Sequence, residues 1–192
     1  MRVSDLPIPR EVSEVLNRMG IVELFPPQEE SVKAGLFEGR NQLIATTTAS
    51  GKTLLAAFAA LKAKEEGFKT IYLTPLRALT TEKAAFFKQV MEPVGGKVAA
   101  VSRDYDNPEE WLRTVDVVIA TYEKADSLVR HRASWLSETG LIVIDELHLL
   151  ADPERGPRLE TAATSLMRIA PDAQRLGLSA TVVNAEEIAG WM

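Results

Sequence analysis

The sequence contains no cysteine and only two histidines, His131 and His148. The absence of cysteine excludes disulfide bonds, thiolate metal sites and a cysteine nucleophile. Two histidines also argue against a histidine-based metal centre, because such centres usually need three or four protein ligands. Disulfide, thiol and histidine-metal chemistry are therefore excluded or disfavoured at the outset.

An excess of basic charge and long apolar runs are also missing. The net charge is -5, with 27 acidic against 22 basic residues, so any contact with nucleic acid must come from a few placed residues and backbone groups. The longest aliphatic runs, such as residues 141–144, are far shorter than the ~20 residues that span a bilayer. The first ten residues are interrupted by charge and proline and do not resemble a signal peptide. We therefore expect a cytoplasmic protein with no membrane partner.

What is present is an ordinary globular composition, with 46% apolar and 26% charged residues. The 192 residues are enough for one compact domain with a real core. No internal repeat, low-complexity tract or long linker divides the chain. We therefore expect residues 1–192 to form a single domain, with N-terminal helices within residues 1–40.

Short apolar segments alternate with segments of helical spacing. The strand-like segments are 41–46, 69–74, 97–102, 116–121, 141–145 and 174–179. The helix-like segments are 10–20, 26–39, 51–67, 76–96, 123–136 and 155–171. This alternation predicts a three-layer, doubly wound α/β fold with a mainly parallel sheet. Ligands of such folds bind outside the carboxyl ends of the strands.

Residues 46–53, "TTTASGKT", are similar to a phosphate-binding loop, G-x-x-x-x-G-K-[ST], although Thr46 stands at the position of the first glycine. The loop follows a predicted strand and opens a predicted helix, so backbone N–H groups can cradle an anion. Lys52 is expected to reach the β- and γ-phosphates, and the Thr53 hydroxyl to bind Mg²⁺. The alternative is a Gly-Lys-Thr tripeptide at an ordinary helix start. The predicted nucleotide-binding residues here are Thr47, Thr48, Ala49, Ser50, Gly51, Lys52 and Thr53.

The second candidate element is a pair of acidic residues at the end of the predicted strand "LIVID". Asp145 and Glu146 lie at the sheet edge where the phosphates are expected. Asp145 is predicted to hold Mg²⁺ through water, and Glu146 to orient and deprotonate the attacking water. A helix-capping Asp-Glu pair is the alternative, but it explains only one acidic residue.

Several motifs in order, covering essentially the whole chain, resemble the first RecA-like motor domain of superfamily-two helicases with a D-E-x-H box. Within that superfamily, the chain is most similar to the Ski-like group and to archaeal DNA-repair helicases of the Hjm/HelQ branch. The segments "LFPPQEESV", "TTTASGKT" and "TPLRALTTEK" resemble the Q motif, motif I and motif Ia. The segments "DELH" and "LSAT" resemble motifs II and III, while "DYDNPEEWL", "TYEKADSLVRHRASWL" and "DPERGPRLE" resemble stretches typical of that branch.

The resemblance implies ATP and Mg²⁺ as cofactors and adds three kinds of residue. Gln28 would recognise adenine, since an amide both donates and accepts hydrogen bonds; the alternative is a surface glutamine at a helix start. His148, Ser179 and Thr181 would couple the nucleotide to the nucleic acid. The alternatives are a polar residue on a helix surface for His148 and a strand-end turn for the other two.

The resemblance also implies contacts with the phosphates of one nucleic-acid strand by Pro75, Arg77, Thr121 and Lys124. A solvated helix face is an equal alternative for Arg77 and for Lys124. The implied partner is single-stranded or forked DNA, along which the whole protein would move from 3′ to 5′. An RNA helicase and a non-motor nucleotide-binding scaffold stay open as alternatives.

Departures from the family pattern concern three positions and the end of the chain. Thr46 and Ala49 replace small or flexible residues of the loop, and Arg103 stands where many relatives carry glycine. The sequence ends shortly after motif III, so the second RecA-like domain with its arginines is expected to be absent. An arginine finger accelerates nucleotide hydrolysis ~10³–10⁵-fold. We therefore expect these 192 residues alone to bind nucleotide weakly, hydrolyse it poorly and not unwind a duplex.

The three tryptophans, Trp111, Trp135 and Trp191, lie among aliphatic residues at helical spacing. This pattern favours core or interface packing over a role as base-stacking platforms.

Overall fold

The computed structural model describes residues 1–46, 51–102, 110–180 and 184–192. In these ranges the α-helices are α1 Arg10–Arg18, α2 Pro26–Lys33, α3 Lys52–Glu65, α4 Arg77–Met91, α5 Tyr122–Arg130, α6 Gly156–Ile169 and α7 Ala185–Trp191. The β-strands are β1 Gln42–Ala45, β2 Lys69–Thr74, β3 Val98–Val101, β4 Val117–Thr121, β5 Thr139–Ile144 and β6 Gln174–Ser179.

The six strands form one sheet in the order β1-β6-β5-β2-β4-β3, and every pairing in it is parallel. Each predicted strand is therefore present, with bounds that differ by two residues at most from the prediction. The predicted doubly wound α/β fold is confirmed. Its parallel strands bring all their carboxyl ends to one edge of the sheet.

Period-two alternation along the strands divides the core between the two faces of the sheet. On β2, Tyr72 packs with α3 and α4 on one face, whereas Ile71 and Leu73 pack with α5 and α6 on the other. All three side chains are fully buried. The sheet is thus covered on both sides, which explains why its strands read as continuous apolar runs. Among the described helices, none is long and apolar enough to cross a membrane.

Polar side chains fasten the N-terminal segment to the sheet. The amide of Gln174, at the start of β6, donates to the backbone carbonyls of Leu36 and Arg40, both at 2.9 Å. The side-chain oxygen of Asn41 accepts from the backbone N–H of Arg175 at 2.8 Å. These bonds fix the chain before β1 and therefore the position of α2, which carries Gln28.

Local predictions differ from the structure at several points. The helix predicted over residues 26–39 ends at Lys33, shortly before Gly35 with its positive φ of 101°. The helix predicted over residues 123–136 ends at Arg130, because Arg132 has a positive φ of 51°, and a separate 3-10 helix follows at Ser134–Glu138. Trp111 is 56% exposed, so core packing is wrong for this residue and interface packing stays a prediction, whereas Trp135 is fully buried as predicted. Trp111 belongs to the 3-10 helix Glu110–Thr114, in which only Leu112 is buried, so helical spacing did not indicate its exposure.

Candidate functional site

The candidate site lies at the carboxyl edge of the sheet, where four neighbouring strands end. The phosphate-binding loop follows β1, and the acidic pair follows β5; in the sheet, β6 lies between these two strands. Strand β2, which leads into α4, lies on the other side of β5. The strand order therefore brings together segments that are about 100 residues apart in the sequence.

Gly51 forms the junction between the loop and α3. Its φ of 75° is left-handed, a conformation that glycine adopts without steric cost. The carbonyl of Gly51 accepts a hydrogen bond from Nε2 of Gln28 at 3.1 Å, and Oε1 of Gln28 accepts from the backbone N–H of Phe25 at 2.9 Å. Gln28 is only 3% exposed. It therefore connects the start of α2 to the loop, and the alternative of a surface glutamine is wrong.

We expect Gly51→Ala to destabilise the protein more than Gly67→Ala. Both glycines have left-handed backbones, with φ of 75° and 82° respectively, so each substitution costs about 1–2 kcal/mol in backbone strain. A Cβ at Gly51 would also lie 2.2 Å from Nε2 of Gln28, whereas a Cβ at Gly67 meets nothing within 4 Å. Urea denaturation of the two variants measures the difference. Equal losses of unfolding free energy would show that the packing of Gln28 against Gly51 contributes nothing.

Lys52 begins α3, and its side chain reaches Thr46, the residue that follows β1. Its Nζ donates to the carbonyl of Thr46 at 2.8 Å. Partial burial lowers the pKa of Lys52, and the carboxylates of Glu146 and Asp145 oppose that change by stabilising the ammonium. The predicted phosphate-binding lysine and the two predicted acidic residues are therefore electrostatic neighbours.

Asp145 is a buried carboxylate held by two donors. The Tyr72 hydroxyl donates to Oδ2 at 2.9 Å, and the backbone N–H of Glu146 donates to Oδ1 at 3.0 Å. Burial raises the pKa of Asp145, whereas the nearby Lys83 ammonium and the Tyr72 hydrogen bond lower it. Burial and the same carboxylate raise the pKa of Tyr72, so its hydroxyl stays a donor.

A second tyrosine holds the backbone of the same aspartate. The hydroxyl of Tyr122, the first residue of α5, donates to the carbonyl of Asp145 at 2.5 Å. Tyr122 follows Thr121 directly, so a segment with predicted nucleic-acid contacts is bonded to the acidic element. The sequence reasoning missed both tyrosines. A polar aromatic residue between two aliphatic residues of β2 was the signal at Tyr72. For Tyr122 no local signal pointed to Asp145.

Glu146 turns the chain out of β5 and into the 3-10 helix Leu147–Ala151. Its φ of 52° is left-handed, which is uncommon for a residue other than glycine. The side chain of His148 is next to that of Glu146, with Nδ1 of His148 at 3.4 Å from Oε2 of Glu146. The same nitrogen lies 3.4 Å from the backbone N of Ala180, which follows Ser179 at the end of β6. His148 therefore lies between the acidic element and the "LSAT" segment.

Ser179 is fully buried at the end of β6, and its carbonyl accepts from the backbone N–H of Thr46 at 3.3 Å. Its hydroxyl has no hydrogen-bond partner among the described residues. The end of β6 is thus bonded directly to the start of the phosphate-binding loop. The coupling roles of His148 and Ser179 stay predictions.

Lys83 is a further residue that the sequence reasoning missed. It lies on α4, and its Nζ donates to Oγ1 of Thr53 at 3.0 Å and lies 3.9 Å from Oδ2 of Asp145. Helical spacing could have indicated that Lys83 lies near the buried face of α4, because it is three residues from the buried Thr80 and next to the buried Ala84.

The residues with predicted nucleic-acid contacts differ widely in exposure. Arg77, at the start of α4, is exposed and Pro75 is partly buried. Thr121 is 3% exposed and caps α5 by accepting from the backbone N–H of Lys124. Lys124 is 1% exposed, so the alternative of a solvated helix face is wrong for this residue. A phosphate contact by its ammonium would require the side chain to leave its buried position.

The remaining residues named from the sequence lie outside the described ranges. These are Thr47, Thr48, Ala49 and Ser50 of the loop, Arg103, and Thr181. Their predicted roles stay predictions.

Archaeal helicases are similar to this chain over its whole length. It is 47% identical to the ATP-dependent DNA helicase Hel308 of Pyrobaculum calidifontis over 192 residues, which are all of this chain and 27% of that protein. It is also 47% identical to Hel308 of Pyrococcus abyssi over 193 residues, covering 26% of that protein. The chain spans about a quarter of the length of these relatives. The resemblance to archaeal helicases of the Hjm/HelQ branch is thereby confirmed.

Solved helicase structures share the fold. The DUF1998 helicase MrfA bound to DNA superposes with a TM-score of 0.78 at 25% identity, covering 94% of this chain and 28% of that one. The same helicase bound to DNA and AMPPNP gives a TM-score of 0.77 at 24% identity, with 94% and 27% covered. The RecA-like fold is thereby confirmed. Finally, the sequence pattern of the DEAD/DEAH box helicase family matches residues 25–188, so the chain belongs to that family.

Proposed function

We propose that these residues form the ATP-binding motor domain of an ATP-dependent DNA helicase. One observation carries the proposal: Lys52, Thr53, Asp145 and Glu146 come together at the carboxyl edge of the sheet, beside the N-terminus of a long buried helix. A Gly-Lys-Thr tripeptide at an ordinary helix start would have no reason to face two carboxylates at the end of another strand.

The first role is phosphate binding. The N-terminus of α3 carries the positive end of the helix dipole, which favours an anion. Lys52 adds a positive charge, and its hydrogen bond to Thr46 keeps the ammonium close to the end of β1. Gln28 would position the start of α3 through Gly51 while it recognises adenine from the side of α2.

The second role is the binding of Mg²⁺ by Thr53 and Asp145. A hydroxyl and a carboxylate are suitable oxygen ligands for Mg²⁺, which usually takes only one or two protein carboxylates besides waters and phosphates. The ammonium of Lys83 already contacts Oγ1 of Thr53 and lies near Oδ2 of Asp145, so the two oxygens face one cation position. When bound, Mg²⁺ would neutralise charge that develops on the transferred phosphoryl group.

The third role is the activation of water by Glu146. Its left-handed backbone marks the point where the chain leaves β5, and its carboxylate interacts electrostatically with Lys52, the residue proposed to bind the phosphates. Glu146 would orient a water molecule and accept its proton. His148, between Glu146 and Ala180, would pass the state of this site to the end of β6, together with Ser179 and Thr181.

The nucleic-acid side is proposed from the family and from the same sheet edge. Pro75 and Arg77 follow β2, and Thr121 ends β4, which is the neighbour of β2 in the sheet. Hydroxyls, helix N-termini and a few cations can hold the phosphates of a single strand without reading bases. The relatives are named DNA helicases, which favours DNA over RNA as the partner. Single-stranded or forked DNA as the form of that partner, and DNA repair as the setting, are proposed from the resemblance to the Hjm/HelQ branch.

A second RecA-like domain would complete this site. The relatives are about four times as long as this chain, which leaves room for such a domain and for accessory domains in the whole protein. That domain would supply the arginines expected for efficient hydrolysis.

Lys52→Ala tests the proposed function in the full-length protein. Loss of a charge-assisted hydrogen bond to phosphate is expected to weaken the binding of a fluorescent ATP analogue at least tenfold and to abolish strand separation. Lys62→Ala is the matched control, because Lys62 is on the same helix and pairs with Glu66 at 2.6 Å. The control should behave like the parent.

Other outcomes would favour the alternatives. A Lys52→Ala protein that still binds the analogue with parental affinity would refute the nucleotide site. Loss of nucleotide binding with no strand separation by the parent would indicate a scaffold rather than a motor. Separation of RNA duplexes in preference to DNA duplexes would indicate an RNA helicase.

A further inference from the structure

The inference concerns Lys83, the last residue of the segment "TPLRALTTEK" that resembles motif Ia, for which the sequence predicted no role. Its Nζ donates to Oγ1 of Thr53 at 3.0 Å and lies 3.9 Å from Oδ2 of Asp145. Thr53 and Asp145 are the two residues that the proposed function assigns to Mg²⁺. One ammonium therefore contacts or approaches both of the oxygens proposed for the metal.

An ammonium and a metal ion cannot share this position. Mg²⁺ binds its direct oxygen ligands at about 2.0–2.1 Å. An ion held directly by Thr53 and through water by Asp145 would therefore lie in the region that the Lys83 ammonium occupies, 3.0 Å from Oγ1 of Thr53 and 3.9 Å from Oδ2 of Asp145. At about 4 Å, near the protein surface, the attraction between two unit charges is several times the thermal energy. The lysine is therefore a real competitor of the metal for Asp145.

In the same position, the ammonium also lies near the carboxylate of an exposed residue, towards which it could turn. Nζ lies 3.6 Å from Oε1 of Glu82, whose side chain is 68% exposed. The Lys83 side chain itself is 17% exposed, and its long aliphatic stem permits the ammonium to turn outwards. Lys83 can therefore release Asp145 and remain solvated and paired.

The charges of the site also favour such an exchange. Lys52 and Lys83 provide two positive charges against the two negative charges of Asp145 and Glu146. Burial is the main cause that lowers the pKa of Lys52, and repulsion by the Lys83 ammonium adds to it. A metal ion added to this balanced set must either displace a cation or arrive together with an anion. A nucleoside triphosphate carries that anionic charge.

We propose that the Lys83 ammonium and Mg²⁺ compete for Thr53 and Asp145, so that Lys83 prevents metal binding until a nucleotide arrives with the ion. This inference rests on the proposed function, because that function names the two metal ligands. Lys83 is a positioning residue. It keeps Asp145 paired while nucleotide is absent.

The test measures Mn²⁺ binding to the full-length protein without nucleotide, by the electron paramagnetic resonance signal of the free ion. Lys83→Met removes the competing charge and keeps the length of the side chain, so it is expected to bind Mn²⁺ at least tenfold more tightly than the parent. Lys88→Met is the matched control, since it removes an exposed charge from the same helix and should leave the affinity unchanged. Lys83→Arg keeps the charge and should bind as weakly as the parent.

Thermal unfolding gives a second readout that does not depend on hydrolysis. Without metal, Lys83→Met should have a lower melting temperature than the parent, because Asp145 loses the ammonium that lies 3.9 Å away. Added Mn²⁺ should raise the melting temperature of Lys83→Met more than that of the parent. Should Lys83→Met not fold, Lys83→Gln serves in both measurements. Mn²⁺ affinity that is unchanged or weaker in the neutral variants would overturn the proposal.

Two further variants separate this inference from the proposed function. Asp145→Asn added to Lys83→Met should abolish the gain in Mn²⁺ affinity; persistence of the gain would place the ion elsewhere and overturn the inference. Loss of nucleotide binding in Lys52→Ala would support the proposed nucleotide site. If Mn²⁺ binding were at the same time unchanged in Lys83→Met, only the proposed competition would be refuted.

Discussion

Replacing Glu146 with glutamine in the full-length protein is expected to reduce the rate of ATP hydrolysis by roughly 10²–10⁴-fold, the usual contribution of a general base. Glutamine has nearly the same shape but cannot accept a proton at neutral pH. Nucleotide affinity should change little, because Lys52, Thr53 and the start of α3 are untouched. The two measurements are steady-state phosphate release and titration with a fluorescent ATP analogue.

The matched control is Glu66→Gln, which neutralises a carboxylate paired with Lys62 at the end of α3. It should hydrolyse ATP at the parental rate. The melting temperature should be close to that of the parent in both variants, since glutamine is no less tolerant than glutamate of the left-handed backbone at residue 146. Near-parental hydrolysis by Glu146→Gln would exclude Glu146 as the base, and an equal loss of affinity and rate would make it a binding residue.

The largest effect on stability is expected from Trp135→Ala. Trp135 is the largest fully buried side chain in the described part of the chain, and it packs in the core between the sheet and α5 and α6. Truncating such a residue costs about 3–5 kcal/mol of unfolding free energy through lost burial and the cavity left behind. For a domain of this size, the melting temperature should fall by on the order of 10 °C.

Trp111→Ala is the comparison, because Trp111 is 56% exposed. Its replacement should change the unfolding free energy by no more than about 0.5 kcal/mol, as for most surface substitutions. Trp135→Phe should cost less than Trp135→Ala, since it keeps an aromatic ring and removes an indole N–H that has no hydrogen-bond partner among the described residues. Equal destabilisation by Trp111→Ala and Trp135→Ala, in urea unfolding followed by circular dichroism, would contradict this assignment of the core.

The regular elements could be predicted because their signals are local. Strands β2 and β6 begin and end where the sequence indicates, since a short apolar run between polar residues has few other stable conformations in a covered sheet. The break after α5 was missed, because the left-handed backbone of Arg132 violates the usual preference of a non-glycine residue and has no sequence signature. The three tryptophans looked alike in sequence, yet Trp111 and Trp135 ended in opposite environments.

The candidate site also has a part that the sequence predicts and a part that it does not. The motif residues Gly51, Lys52, Thr53, Asp145 and Glu146 could be named from the sequence, because each motif combines a strand, a turn and a charge within a few residues. The strand order then places the two motifs at one sheet edge. Their roles in binding and hydrolysis remain predictions that the variants above test.

The sequence by itself determined a doubly wound α/β fold, the family, and the motif residues, since period and spacing are properties of neighbouring residues. Only the tertiary structure decided that Tyr72 and Tyr122 hold Asp145, that Lys124 is buried, and that Lys83 contacts Thr53. These contacts join elements that are distant in the chain. Their geometry depends on strand order and helix packing, to which the whole core contributes and which no local pattern encodes.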